Sequence, residues 1–166
     1  MMRPAAVVFV VATAAAATRH APGRRGESTH ARELRYSIRS DTDSIALLRD
    51  SLMTTVLRSI AGKETLPADS VFSNVKSLGA FQAGTFVRVM NSFGRALGVS
   101  CSHCHTVGKW SDDGKPQKQI AREMWAMMGR INNELLAGIP NLRSPRPIVN
   151  CTTCHRGQVK PALDLP

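Results

Sequence analysis

The chain has 166 residues, a formal net charge of +10, 43% hydrophobic and 5% aromatic content, enough for one modest domain and too little for two. Its longest apolar run, residues 5–17 interrupted only by Thr13, falls short of the roughly 20 residues a helix needs to cross a bilayer, so an integral membrane core is excluded. The basic excess leaves nucleic-acid binding open on composition alone.

Residues 1–17 read as a secretory signal peptide, with Arg3 in a short basic start, the apolar stretch AAVVFVVATAAAA, and Ala15-x-Ala17 as a cleavage site. The mature chain is expected to begin near Thr18. No cysteine follows the apolar stretch to take a lipid, so the expected product is exported, soluble and not a lipoprotein. Residues 18–40 carry Arg19, Arg24, Arg25, Arg32, Arg35 and Arg39 against Glu27 and Glu33, with Pro22, Gly23 and Gly26 as breakers. This reads as a basic disordered linker, suited at most to an anionic membrane surface or an acidic partner.

Residues 41–166 read as one all-α domain with long loops and little or no sheet. Asp41, Thr42 and Asp43 offer helix caps, and Ile45, Leu48, Leu52, Val56 and Ile60 then recur at helical spacing until Gly62. A shorter helix is predicted from Pro67, with Val71, Phe72, Val75 and Leu78 apolar and Gly79 as its stop. A third carries Phe86, Met90, Phe93 and Leu97 on one face and ends at Gly98. The longest starts at Pro116, holds Ile120, Met124, Met127, Met128, Ile131 and Leu135 on a stripe, and stops at Gly138 and Pro140. Pro140, Pro145 and Pro147 make the next segment an extended loop.

All four cysteines fall in two copies of C-x-x-C-H, Cys101-Ser-His-Cys104-His105 and Cys151-Thr-Thr-Cys154-His155. Two thiols on one turn can add to the two vinyl groups of a haem, while the adjacent His reaches the iron as axial ligand. Each motif thus implies one covalently attached haem c. A zinc site built from two C-x-x-C pairs usually separates them by about 15 to 20 residues, whereas 46 lie between Cys104 and Cys151. Disulfides leave both His unexplained, and no βαβ pattern supports a thioredoxin-like pair. Haem also accounts for the charge. Seven of the 22 basic and two of the 12 acidic residues lie in positions 1–40, leaving +5 for the domain, which four propionates reduce to about +1 with ferrous iron. Nucleic-acid binding then loses its support.

A Met thioether on the sixth position closes an iron and suits electron transfer, whereas an open iron binds small molecules. Met90 and Met124 occupy similar places on the helices before the two motifs, although a Met on an apolar stripe is more often plain core. Met90 is favoured because the short link Val99-Ser100 returns the attachment cysteines beside its helix. Met127 and Met128 rival Met124, and Met53 is a remote rival. Trp110 and Trp125 are candidates to pack on porphyrin, and Arg122, Arg130, Arg156 and Lys160 are candidate propionate partners. His103, between the two cysteines of its motif, is expected to face solvent.

The runs FVRVMNSFGRALGVSCSHCHT, SDDGKPQKQIAREMWAMMGRIN and VNCTTCHRG, within residues 66–157, resemble the cytochrome c subunit of photosynthetic reaction centres and the smaller exported multihaem cytochromes related to it. The resemblance implies a helix, a turn and C-x-x-C-H for each haem, with a Met from the preceding helix as sixth ligand. By position these ligands fall on Met90 and on Met124 of Arg122-Glu123-Met124. The chain has two motifs where that subunit typically has four, so the resemblance implies the fold unit and the ligation rather than docking on a reaction centre. The expectation is a dihaem electron carrier serving redox partner proteins, with no substrate chemistry. The alternative is a haem enzyme or gas-binding module with one open iron.

Overall fold

Helix α1 (Thr29–Ser59) runs for 31 residues, roughly 46 Å at 1.5 Å per residue. The computed structural model describes residues 28–164, so the expected signal peptide and the first half of the expected linker lie outside the described residues. The second half of that linker is helical instead. Helix α1 begins twelve residues before Asp41, because Pro22, Gly23 and Gly26 all precede Thr29 and nothing after it breaks a helix. A high arginine content signals solvation, and it does not oppose helix formation.

Helix α2 (Ala68–Val71) is a single turn rather than the longer helix its apolar pattern predicts. Phe72 is already extended, and Asn74 and Leu78 take positive φ, at 61° and 68°. The reason is tertiary: leaving the helix lets Phe72 pack on Phe86 with ring centroids 5.4 Å apart. Backbone bonds from Ala68 to the Phe81 carbonyl and from Ala83 to the Leu66 carbonyl, each 2.8 Å, close this excursion and deliver the chain into α3.

Helix α3 (Ala83–Leu97) follows its predicted stripe and ends at Gly98 as expected. It packs along α1, and Ile60, Ala83 and Val87 form the centre of the core with Met53, Val56, Leu57 and Phe86 around them. Gly94 is needed at the crossing, since a Cβ there would lie 2.8 Å from the Arg49 side chain and 3.0 Å from the Val99 carbonyl.

Helix α4 (Pro116–Arg130) starts at its predicted proline. It then widens into a π turn, Ile131–Leu135, with the Leu136 amide bonded to the Ile131 carbonyl at 2.8 Å. Trp125 joins α4 to the rest, lying 5.8 Å from Phe93 and 6.4 Å from Phe81. An extended loop with the three prolines leads to α5 (Cys151–His155). Among the described residues there is no strand, so the fold is all-α, as predicted.

Candidate haem-attachment sites

The way α3 ends places the first motif. Gly98 is left-handed at φ 68°, its amide bonds to the Arg95 carbonyl at 3.3 Å, and the Val99 amide bonds to the Gly94 carbonyl at 2.9 Å. This Schellman closure reverses the chain within two residues. Cys101–His103 then form one 3-10 turn, and the His105 amide reaches the Cys101 carbonyl at 3.0 Å. Cys101, Cys104 and His105 consequently open on one cavity. His103, expected in solvent, is half-buried on this tight turn.

That cavity has a volume of about 400 Å³, within the range of cofactor sites. Its walls are apolar, with Leu52 and Val56 from α1, Phe86 and Phe93 from α3, and Trp125 from α4. Met90 lines it. So does Met53, which is distant in sequence and near in space.

The imidazoles are oriented by backbone. His105 Nδ1 lies 3.1 Å from the Trp110 carbonyl oxygen, and His155 Nδ1 lies 3.0 Å from that of Gln158. A carbonyl can only accept, so each ring carries its proton on Nδ1 and leaves the Nε2 lone pair free for a metal. Trp110 also stands edge-on to the His105 ring at 5.6 Å. Burial lowers the His105 pKa, the bond to Trp110 opposes this, and Lys118, Arg122 and Lys115 lower it further. The neutral ring required of a ligand is thus favoured. Burial likewise raises the Cys101, Cys104 and Cys151 thiols, and all four cysteines are free.

The second motif forms α5 itself. Asn150 and Thr153 exchange side-chain bonds with each other's amides at 3.1 Å, a capping box that fixes the turn bearing Cys151 and Cys154. Arg156 and Gly157 end it in left-handed conformation, and the Gly157 amide donates to the Ala96 carbonyl at 2.8 Å. Helix α5 therefore packs on the C-terminal end of α3. Asn132, a residue with no motif to mark it, holds the approach. Its side chain accepts from the Val149 amide at 2.8 Å and donates to the Val149 carbonyl at 2.9 Å.

Met124 is 37% exposed on α4, and Met128 is half-buried. Neither lines the first cavity. Met127 lines a shallow apolar depression with Ile131 and Leu135. Of the four expected propionate partners, Arg122 lines the first cavity, Arg130 pairs with Glu134 at 3.4 Å in solvent, and Arg156 and Lys160 are exposed.

Asp113 gathers three cations. It accepts from Lys76 at 2.8 Å, Arg122 at 2.9 Å and Lys118 at 3.1 Å. These bonds, with one from Asn74, hold its carboxyl far below the usual carboxylate range.

Haem c fits this set of donors. Two thiols and an imidazole with free Nε2 share a turn, Met90 and Met53 line the same apolar cavity, and two buried wall atoms, Arg49 Nε and Asn91 Oδ1, have no partner among the described residues. Among the described residues no group of three His, Cys, Asp or Glu side chains is arranged to hold a metal ion.

The family described as photosynthetic reaction centre cytochrome C subunit matches residues 16–163. The chain belongs to this family. Covalent haem c is the cofactor that membership in this cytochrome family implies. Cytochrome c-554 of Chloroflexus aurantiacus is 38% identical over 60 residues, 36% of this chain and 14% of the relative. The photosynthetic reaction center cytochrome c subunit of Rubrivivax gelatinosus is 33% identical over 96 residues, 57% of this chain and 25% of the relative. That of Roseobacter denitrificans is 34% identical over 106 residues, 61% of this chain and 28% of the relative. The matches thus span between 14% and 28% of these curated relatives. Among the described residues no helix is long and apolar enough to cross a membrane.

Proposed function

We propose that this protein is an exported dihaem c-type cytochrome that passes electrons between redox partner proteins. The observation that carries the reading is the repeated anchoring of His105 and His155 through Nδ1, which presents Nε2 beside a C-x-x-C pair in both motifs. Bound haem supplies a one-electron ferrous/ferric couple. The chain's own task is to hold it, to exclude water from one face with the Phe86, Phe93 and Trp125 wall, and to fix the ligands. The neutral His105 favoured by burial suits that task.

Met90 is the proposed sixth ligand of the first haem, supported by its place in the wall of the cavity that Cys101, Cys104 and His105 share. Met124 is the proposed sixth ligand of the second, supported by its position in the family pattern, with Met127 and Met128 as neighbours on the same stripe. The exposure of Met124 keeps one specific alternative in view, an open second iron that binds small ligands.

The test is a visible spectrum with pyridine-haemochrome quantitation of protein matured by haem-attachment machinery, followed by carbon monoxide on the reduced form. Two haems per chain and an unmoved Soret band are expected. Fewer than two haems overturns the dihaem reading, and a carbon monoxide shift assigns an open iron.

A further inference from the structure

Two donors meet on one oxygen behind the first attachment motif. The Trp110 carbonyl receives His105 Nδ1–H at 3.1 Å and the Lys118 ammonium at 3.0 Å. The other two donors of Lys118 go to the Asp112 carbonyl at 2.9 Å and the Asp113 carboxylate at 3.1 Å, so all three of its protons are used and its charge is fixed in place. The side chain is only 11% exposed, and solvent screens it little. His155 offers a comparison within the same chain. Its Nδ1 lies 3.0 Å from the Gln158 carbonyl oxygen, and among the described residues no cation donates to that oxygen.

Helix stability does not explain Lys118. It lies in the first turn of α4, where the helix dipole disfavours a cation and no acidic side chain offsets it. Fastening the loop of residues 106–114 explains it only in part. Without Lys118, Asn74 still donates to the Ser111 carbonyl at 2.6 Å, the Gly114 amide to Asp112 at 3.0 Å and Arg122 to Asp113 at 2.9 Å. What Lys118 alone supplies is a positively charged donor on the oxygen that orients His105. A carbonyl oxygen polarised toward an ammonium has less electron density left for a second donor. The Nδ1–H bond is weakened, and the ring becomes a poorer electron donor through Nε2. A poorer donor stabilises ferric iron less, and the fixed positive charge acts in the same direction.

We infer that Lys118 is a positioning residue that raises the midpoint potential of the haem attached at Cys101 and Cys104, acting through the Trp110 carbonyl on His105. The inference rests on the proposed haem at that motif. Asp113 opposes the effect without cancelling it, because its carboxylate is 36% exposed and is shared with Lys76 and Arg122. The bare Gln158 carbonyl gives the second motif no counterpart.

The experiment is a redox titration of the full dihaem chain near neutral pH for the parent, Lys118→Met, Lys118→Arg and Asp113→Asn, paired with NMR of the reduced proteins after isotope labelling of histidine. Lys118→Met is expected to lower one of the two midpoint potentials and leave the other in place. It also moves the His105 Nδ1–H proton downfield as that bond strengthens, while the His155 proton stays where it was. Lys118→Arg keeps a charged donor and most of the parent potential, and Asp113→Asn raises the same potential that Lys118→Met lowers. A loop fastener alone gives another pattern: both Lys118→Met and Asp113→Asn loosen the loop, so the potential moves in one direction in both and the His105 proton shifts upfield. That pattern overturns the inference. Should Lys118→Met fail to fold, the sign of the Asp113→Asn shift decides. A lowered potential with an unmoved His105 proton overturns the route through Trp110. Haem on Cys101 and Cys104, seen by mass spectrometry, with potentials unchanged in the folded variants overturns the role of Lys118 alone. A parent chain matured with no haem on those cysteines overturns the functional reading beneath it.

Discussion

The carbonyl of Gly157 occupies the space that a side chain on Gly98 would need. Gly98 ends the helix before the first attachment motif, and Gly157 follows the second, so this backbone contact sets the two motifs side by side. The bond from the Gly157 amide to Ala96 locks it at 2.8 Å.

Gly98→Ala is therefore expected to destabilise the protein by roughly 2–4 kcal/mol, combining left-handed strain with overlap against backbone. Gly157→Ala, at φ 86° but with nothing within 4 Å of its Cβ, carries strain alone, about 1–2 kcal/mol. Denaturant unfolding of the two holoproteins measures the difference. Equal losses would show that the Gly98 contact is not tight.

Asn132→Ala removes both side-chain bonds to Val149 and is expected to cost about 1–3 kcal/mol. The loss is local. Mass spectrometry should show reduced haem occupancy at Cys151 and Cys154 with Cys101 and Cys104 fully loaded, and uniform occupancy would contradict this role.

Replacing a ligating Met by Leu keeps volume and loses sulfur. Met90→Leu and Met124→Leu should each remove half of the near-infrared sulfur-to-ferric-iron absorption and open one iron to carbon monoxide. Met53→Leu and Met128→Leu should do neither. If Met53→Leu opens the first iron instead of Met90→Leu, the ligand comes from α1.

Asp113 has a folded-state pKa depressed below the ordinary value of 3.8. A carboxyl of this kind contributes stability that is fully present above that value and is lost as pH falls below it. Acid unfolding of Asp113→Asn should lack this component, so the gap between parent and variant narrows as pH drops below about 4. A gap that stays constant to low pH would show that Asp113 is not strained toward its ionised form by its three cations.

Helix α3 was legible because its stripe, its terminal glycine and its length all agree. Helix α2 was not. The apolar spacing through Leu78 looks helical, yet Phe72 gains more by packing on Phe86 than by continuing a helix, and Asn74 accepts the left-handed turn this requires. The attachment motifs were readable as spacing, whereas the Trp110 and Gln158 carbonyls that orient the imidazoles are backbone groups without a residue signature. Met53 shares a wall with Met90 only because α1 crosses α3 at Gly94. The cation cluster was half visible. Arg122 stood out as a carboxylate partner, but Lys76 reaches Asp113 across 37 positions of sequence, a pairing that only the folded loop creates.

The two haem-attachment halves differ in how much core the polypeptide supplies. Around the first motif, protein side chains enclose the cavity. Along α4, its π turn and the loop that leads to the second motif, Ile120, Met127, Leu135, Ile139 and Ile148 remain between 46% and 72% exposed. Apolar surface of this kind invites self-association and proteolysis until it is covered. If the second motif carries the haem proposed above, maturation of the C-terminal half is tied to cofactor delivery, and the abundance of this protein should follow haem supply as closely as it follows transcription.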